Sequence, residues 1–282
     1  MEKKYILTDE TITLGSGIVL HRIKAIRSFG DVNEGDLGGW VEKEDNLSHE
    51  GDCWIYDNAR VYGNACVYNN AKVLNNAIVF DNAKIFDNAT VFGDAIVFNN
   101  AKVFGHATVF GDATVFGDAI VCDNAIVYYY AKVCGNAIVY GHAKVCGNSE
   151  ICDNAIVYGY AIVRDNAEVY GHAKVHGNAR ICDNAIVRDN AEVYDNAKVH
   201  GNARIFNNAV IQSDKDYIVF KNWWSSGRYF TWTRSNNMWH VGCFYGTGDE
   251  LIKKAYEDSE ISGREYERIV KYVESILKEE EK

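Results

Sequence analysis

Apolar residues recur along this chain with a period of six. From Ile55 to Ile211 every sixth residue is valine or isoleucine, 27 positions in an unbroken series. From Val61 onward alanine stands two residues before each, with Ser149 the one exception. The residue before the alanine is usually Asn or Asp, as in Gly63-Asn64-Ala65 and Gly111-Asp112-Ala113. The unit is Asn-Ala-x-Val-aromatic-Gly/Asp/Asn. An α-helix requires a period near 3.6, which this pattern lacks. In a strand, side chains alternate sides, so in Ala59-Arg60-Val61-Tyr62 the Ala and Val share one face while Arg and Tyr share the other. Gly, Asp and Asn tolerate left-handed backbone, so each short strand is followed by a corner.

Hairpins would invert this pattern at every turn, so the strands are expected to coil. Three hexads make a triangular coil of 18 residues with residue i stacked on i+18, and 27 hexads make nine coils. At the usual strand spacing the rod is about 43 Å long. Each buried valine contributes about 1.5–3 kcal/mol. Ordering the chain costs about 1–2 kcal/mol per residue, so stability depends on cooperation between neighbouring coils. Upstream, Tyr5–Leu7 and Ile18–Ile26 read as strands, and Val41, Leu47 and Cys53 continue the alanine spacing. Coiling is therefore expected from near Leu37, giving about nine to ten coils over residues 37–212, with residues 1–36 as an N-terminal cap. Beyond Ile211 three strand-like runs follow, Asp216–Lys221, Arg228–Thr233 and Met238–Phe244. Two helices come next, whose starts read as capping boxes at Thr247-Gly248-Asp249-Glu250 and Ser262-Gly263-Arg264-Glu265. Residues 213–282 thus form a small α+β module that caps the last coil. Uncovered sheet edges invite polymerisation, so two caps argue against a filament.

The Val-x-x-Asn-Ala-x spacing resembles the hexapeptide-repeat superfamily, which implies a left-handed, single-stranded parallel β-helix in an otherwise all-β chain. The run Gly30-Asp31-Val32-Asn33-Glu34-Gly35-Asp36-Leu37-Gly38-Gly39-Trp40-Val41 is more specific. With Asn46-Leu47-Ser48 and Gly51-Asp52-Cys53-Trp54-Ile55-Tyr56 it resembles the opening of the YdcK-like proteins of bacteria and their phages, over roughly residues 20–211. That resemblance implies a phage or mobile-element origin. The wider hexapeptide-repeat resemblance implies an acyl- or acetyltransferase as one function, with a CoA donor, a trimeric assembly and a histidine base at a subunit interface.

Composition narrows the field. The formal net charge of −10 divides as −5 over residues 1–54, −3 over 55–211 and −2 over 212–282, so no segment is basic and nucleic acid is an unlikely ligand. An acidic rod that imitates nucleic acid is a further alternative, weakened by the small charge of the repeats. No stretch approaches about 18 apolar residues, and none is expected to span a membrane. The start, Met1-Glu2-Lys3-Lys4-Tyr5, has no apolar signal core. The eight cysteines fall on repeat positions. A cytoplasmic protein with reduced thiols is expected. Cys134 and Cys152, 18 apart, come within disulfide reach, yet free thiols are expected there too.

Little points to chemistry. His106, His142 and His172 replace corner Asn, whereas His176 and His200 replace aromatics, and no loop interrupts the hexads. No catalytic residue, metal site or cofactor is expected. The outward surface is more informative. One face carries Ile78, Phe80, Ile96, Phe98 and Phe116; another carries Ile120, Ile138, Tyr140, Ile156 and Tyr158. Large apolar strips are seldom left in water, and a homo-oligomer, dimer or trimer, is the cheapest cover. Trp223 and Trp224 are adjacent and cannot both point inward from one strand, so one belongs to a turn or an interface. The expectation is a non-enzymatic structural or interaction solenoid that meets partner copies, or another protein, through these side chains.

Overall fold

The computed structural model describes residues 2–280. The hexads fold as a parallel β-solenoid in which strand pairs repeat at 18-residue spacing, for example Ile78 with Ile96 and Val79 with Val97. Three sheets make its faces. The first contains Leu37–Val41, Arg60–Val61, Ile78–Val79 and every third strand thereafter to Arg204–Ile205. The second runs in nine strands from Cys66–Val67 to Val210–Ile211, and the third in nine from Trp54–Ile55 to Lys198–Val199. The valine and alanine columns fill the interior and are fully buried. Ser149 stands in the alanine column and satisfies its hydroxyl by donating to the Cys146 carbonyl at 2.8 Å. At each corner the first residue lies in left-handed conformation, as at Asn75 (φ 59°) and Gly93 (φ 73°).

The N-terminal strands Tyr5–Thr13 and Val19–Ala25 pair antiparallel and extend the first face, making it twelve strands wide. Val41 and Leu47 correct the sequence reading. They pair with Val61 and Val67, so they occupy the valine column and not the alanine column. Their partners lie 20 residues on, because the corner between Leu47 and Trp54 holds two extra residues; Trp54, paired with Lys72, resumes the 18-residue register.

All coils point their N–H groups toward the C-terminal end of the rod, as when Arg60 donates to Ala77 at 2.9 Å. The first coil therefore exposes carbonyl oxygens and the last exposes N–H groups. Buried Lys4 covers the first edge, its Nζ donating to the carbonyls of Gly51 at 3.0 Å and Cys53 at 2.9 Å. Tyr5 adds its hydroxyl to the Glu44 and Leu47 carbonyls at 2.7 and 2.8 Å. The C-terminal module covers the other edge with acceptors. Asp214 takes the Lys198 N–H, Tyr217 that of His200, Thr231 that of Arg204 and Ser235 that of Val210.

The module contains four strands where the sequence suggested three. Gly242, at φ 60°, and Cys243 make a tight turn that folds Phe244 back onto Val241. Helix α1 spans Gly248–Asp258 and starts at the expected Thr247/Glu250 capping box. Helix α2 spans Glu260–Glu280, so Ser262 is inside it and does not cap it. Ser259, extended at φ −170°, ends α1 and accepts the Ser262 N–H on its own hydroxyl, taking the role expected of Ser262. Trp232 and Trp239 pack with Phe230, Leu251, Val270 and Val273 as the module's core.

Candidate interaction faces of the rod

The outward side chains stack coil on coil. On the first face the rings of Tyr62, Phe80, Phe98 and Phe116 form a continuous ladder with centroids 5.0–5.2 Å apart. Ile78 and Ile96 flank it on neighbouring strands. On the second face Ile120, Ile138 and Ile156 pair in sequence, and Tyr140 stacks on Tyr158 at 4.9 Å. The two strips expected from the sequence are therefore each contiguous, on different faces, and stacking leaves each member half-buried. Trp223 and Trp224 lie apart from both, in the C-terminal module. Trp223 is 76% exposed, whereas Trp224 packs edge-on against Phe230 and Tyr266.

The most exposed large apolar side chains of the repeat region are others. Tyr129, Tyr130 and Tyr160 are 59–63% exposed and stand at corners, where Gly, Asn and Asp are the rule. Tyr129 is in left-handed conformation, φ 58°. Each of these tyrosines breaks the corner rule in the sequence, which is the signal that marks them. They edge the third face. Tyr129 and Tyr130 follow the strand Ile126–Val127, and Tyr160 precedes Ile162–Val163, with its ring stacked on His142 at 4.8 Å. Beside them, a hydrogen bond with Cys146, aided by burial, pushes the Tyr128 phenol up to about 12, so it stays neutral.

The corner amides form ladders along the rod, as from Asn64 to Asn82 and Asn100 at 3.2 Å each. Corner aspartates do comparable work, with Asp123 accepting the Gly141 N–H of the next coil at 3.1 Å. His106 and His142 share one corner column with Asn124 between them. His176 has the oriented environment that they lack. Its ring lies between those of Tyr158 and Tyr194, and its Nε2 is 2.9 Å from Glu192. The 16-residue spacing of this pair, two short of a full coil, was the signal for it.

Cys134 and Cys152 form a disulfide, in place of the expected free thiols, because stacked outward positions on adjacent strands put their Cα atoms 4.6 Å apart. Asp165, Cys182 and Asp183 have potential ligand atoms within 4.8 Å of one another. Three donors fall short of a closed zinc set. Both carboxylates already accept backbone N–H groups, from Asp183 and Gly201 respectively, and burial pushes the Cys182 thiol up. Among the described residues, no helix is long and apolar enough to cross a membrane.

Two comparisons bear on this rod. The YdcK Beta solenoid repeat family matches the chain at residues 55–69 and 151–165. A protein of Escherichia coli (strain K12), described as "Uncharacterized acetyltransferase YdcK", is 36% identical over 66 residues, covering 21% of this chain. The match spans 20% of that relative's length.

Proposed function

We propose that this chain, a β-solenoid similar in its repeats to the YdcK family, is a non-enzymatic interaction scaffold associating side by side through its outward apolar faces. The observation that carries this reading is the pair of strips, Ile78 to Phe116 on one face and Ile120 to Tyr158 on another, maintained over successive coils. Coil stacking does not require isoleucine at these positions, since Lys and Glu also fit, as Lys132 and Glu150 show. Both ends are capped by polar groups, so association is lateral. Light scattering on the intact protein tests this. An oligomer at micromolar concentration is expected, weakened by Ile96→Lys or Ile138→Lys or by changes on the third face. A monomer that no concentration shifts overturns the reading.

The alternative is an acyltransferase, favoured by the name of the relative and by His176, which Glu192 orients as a general base is oriented. Calorimetry with acetyl-CoA separates the two. Acetyl-CoA binding together with acetyl transfer that His176→Ala abolishes would favour the enzyme.

A further inference from the structure

The third face differs from the other two. It has nine strands, and the central one is Ile126–Val127, the strand that leads into Tyr128, Tyr129 and Tyr130. Its outward strand positions include no carboxylate in a chain of net charge −10; the outward glutamates, Glu150, Glu168 and Glu192, all lie on the other faces. The face also has two unlike halves. Toward the N-terminus it presents rings, with Phe92, Phe110 and Tyr128 stacked at 4.8 and 5.1 Å. Toward the C-terminus it presents cations, Lys144, Arg164, Arg180 and Lys198, on successive strands. The one cation of the ring half, Lys72, is already paired with Asp31 at 2.8 Å, and in the cationic half Arg164 lies 3.8 Å from Asp165 at its own corner.

We infer that a second copy of this chain docks here, antiparallel, about a two-fold axis running along the central strand. The inference rests on the scaffold reading, that the rod associates side by side, names the partner, and places the two-fold contact on a face other than the two isoleucine strips. That axis sets the ring half of each copy against the cationic half of the other, with Trp54 opposite Lys198 and one like-charged pair, Lys72 opposite Arg180, where Asp31 already neutralises Lys72. Tyr128, Tyr129 and Tyr130 meet their own symmetry mates, Phe92 lies opposite Arg164 of the second copy, and Leu74 lies opposite Cys182. Arginine over a phenyl ring is a favourable cation–π pairing, and tyrosine and arginine are the residues that anchor protein interfaces. Eight strand spacings by about 16 Å give roughly 600 Å² per copy, about 1,200 Å² in total, at the lower bound of a specific interface. Tyr129 supports the same conclusion. A bulky residue in left-handed conformation is strained, as positions retained for function often are, while the same corner column elsewhere holds Gly, Asn or Asp.

The test restores the corner rule, which protects the fold. Tyr129→Gly, Tyr130→Asn and Tyr160→Asn are combined, and mass in solution and thermal midpoint are measured beside the native protein. The native chain is expected at twice 31.7 kDa and the triple variant at 31.7 kDa, with its midpoint at matched monomer concentration unchanged or raised. A trimer overturns this inference and keeps the scaffold reading, because a single two-fold contact cannot close three copies. So does a dimer that survives the triple variant but is lost on Ile96→Lys or Ile138→Lys. A monomer overturns both.

Discussion

At each corner of the rod one residue lies at positive φ, and its identity decides how closely the next coil can approach. Gly147 shows the constraint: a Cβ there would meet the Asp165 nitrogen at 2.7 Å and its oxygen at 2.8 Å. Gly201, at the end of the same column, has open space around it. Both are left-handed, at φ 73° and 67°. Gly201→Ala is therefore expected to cost only the conformational penalty, about 1 kcal/mol, and Gly147→Ala at least about 2 kcal/mol. Chemical denaturation of the two variants checks that order; equal costs would mean that coil-to-coil contact at the corner is unimportant. Asp and Asn fit the column because their side chains repay the strain with a bond to the next coil, as Asp123 does to Gly141. The column was legible in the sequence because the same demand recurs every 18 residues, and one reading of Gly63-Asn64-Ala65 serves for all its copies. His176 was harder to see, since its partner Glu192 belongs to the opposite end of a neighbouring strand.

Single coils are not stable units, and the elements here are stacks. Within a stack the sequence determined which residues pair, as Thr90 with Thr108 and Ile138 with Ile156. It did not reveal what happens at an interruption. Two added residues before Trp54 moved Val41 and Leu47 into another column, because register is counted from the nearest regular corner and not along the whole chain. The module was less legible still, since its turns at Gly242 and Ser259 occur once each and no repetition marks them. Cys134 and Cys152 lie between these extremes: their stacking was legible, their oxidation was not. The bond closes an 18-residue loop, which in the chain-entropy account is worth about 3 kcal/mol. Under denaturing, non-reducing conditions six thiols should react with a thiol reagent, the number left free among the eight cysteines. Reduction should then lower stability toward that of Cys134→Ser/Cys152→Ser. Eight reactive thiols in protein purified without reductant would show that the pair does not form.

Over the whole molecule the peptide groups align, so the rod has a donor end and an acceptor end, and each cap supplies the opposite chemistry. Lys4 and Tyr5 meet carbonyls at one end; Asp214, Tyr217, Thr231 and Ser235 meet N–H groups at the other. The joint at the donor end includes a titratable group. His240 is 5% exposed, its ring edge-on to Phe206 at 4.0 Å, and its Nδ1 has no partner. Burial, and after it Arg204 and Arg188, pull its pKa down from 6.5 to about 4, while Asp189 opposes them. The released or unfolded module takes up a proton near 6.5 and the docked one only near 4. Docking is therefore unpenalised above about pH 6.5 and weakens as pH falls toward 4, by up to about 3 kcal/mol. Carboxylates titrate in part of the same range, so the informative quantity is the difference between the native protein and His240→Phe. The native protein should lose more stability than the variant between pH 7 and 4, and hydrogen exchange should place the loss at Arg204 and Val210, whose N–H groups Thr231 and Ser235 then release. Parallel pH profiles for the two proteins would remove His240 from the account. If the profiles diverge, the acid form exposes a row of free strand donors, and end-to-end association, which the caps prevent at neutral pH, should appear in the same samples.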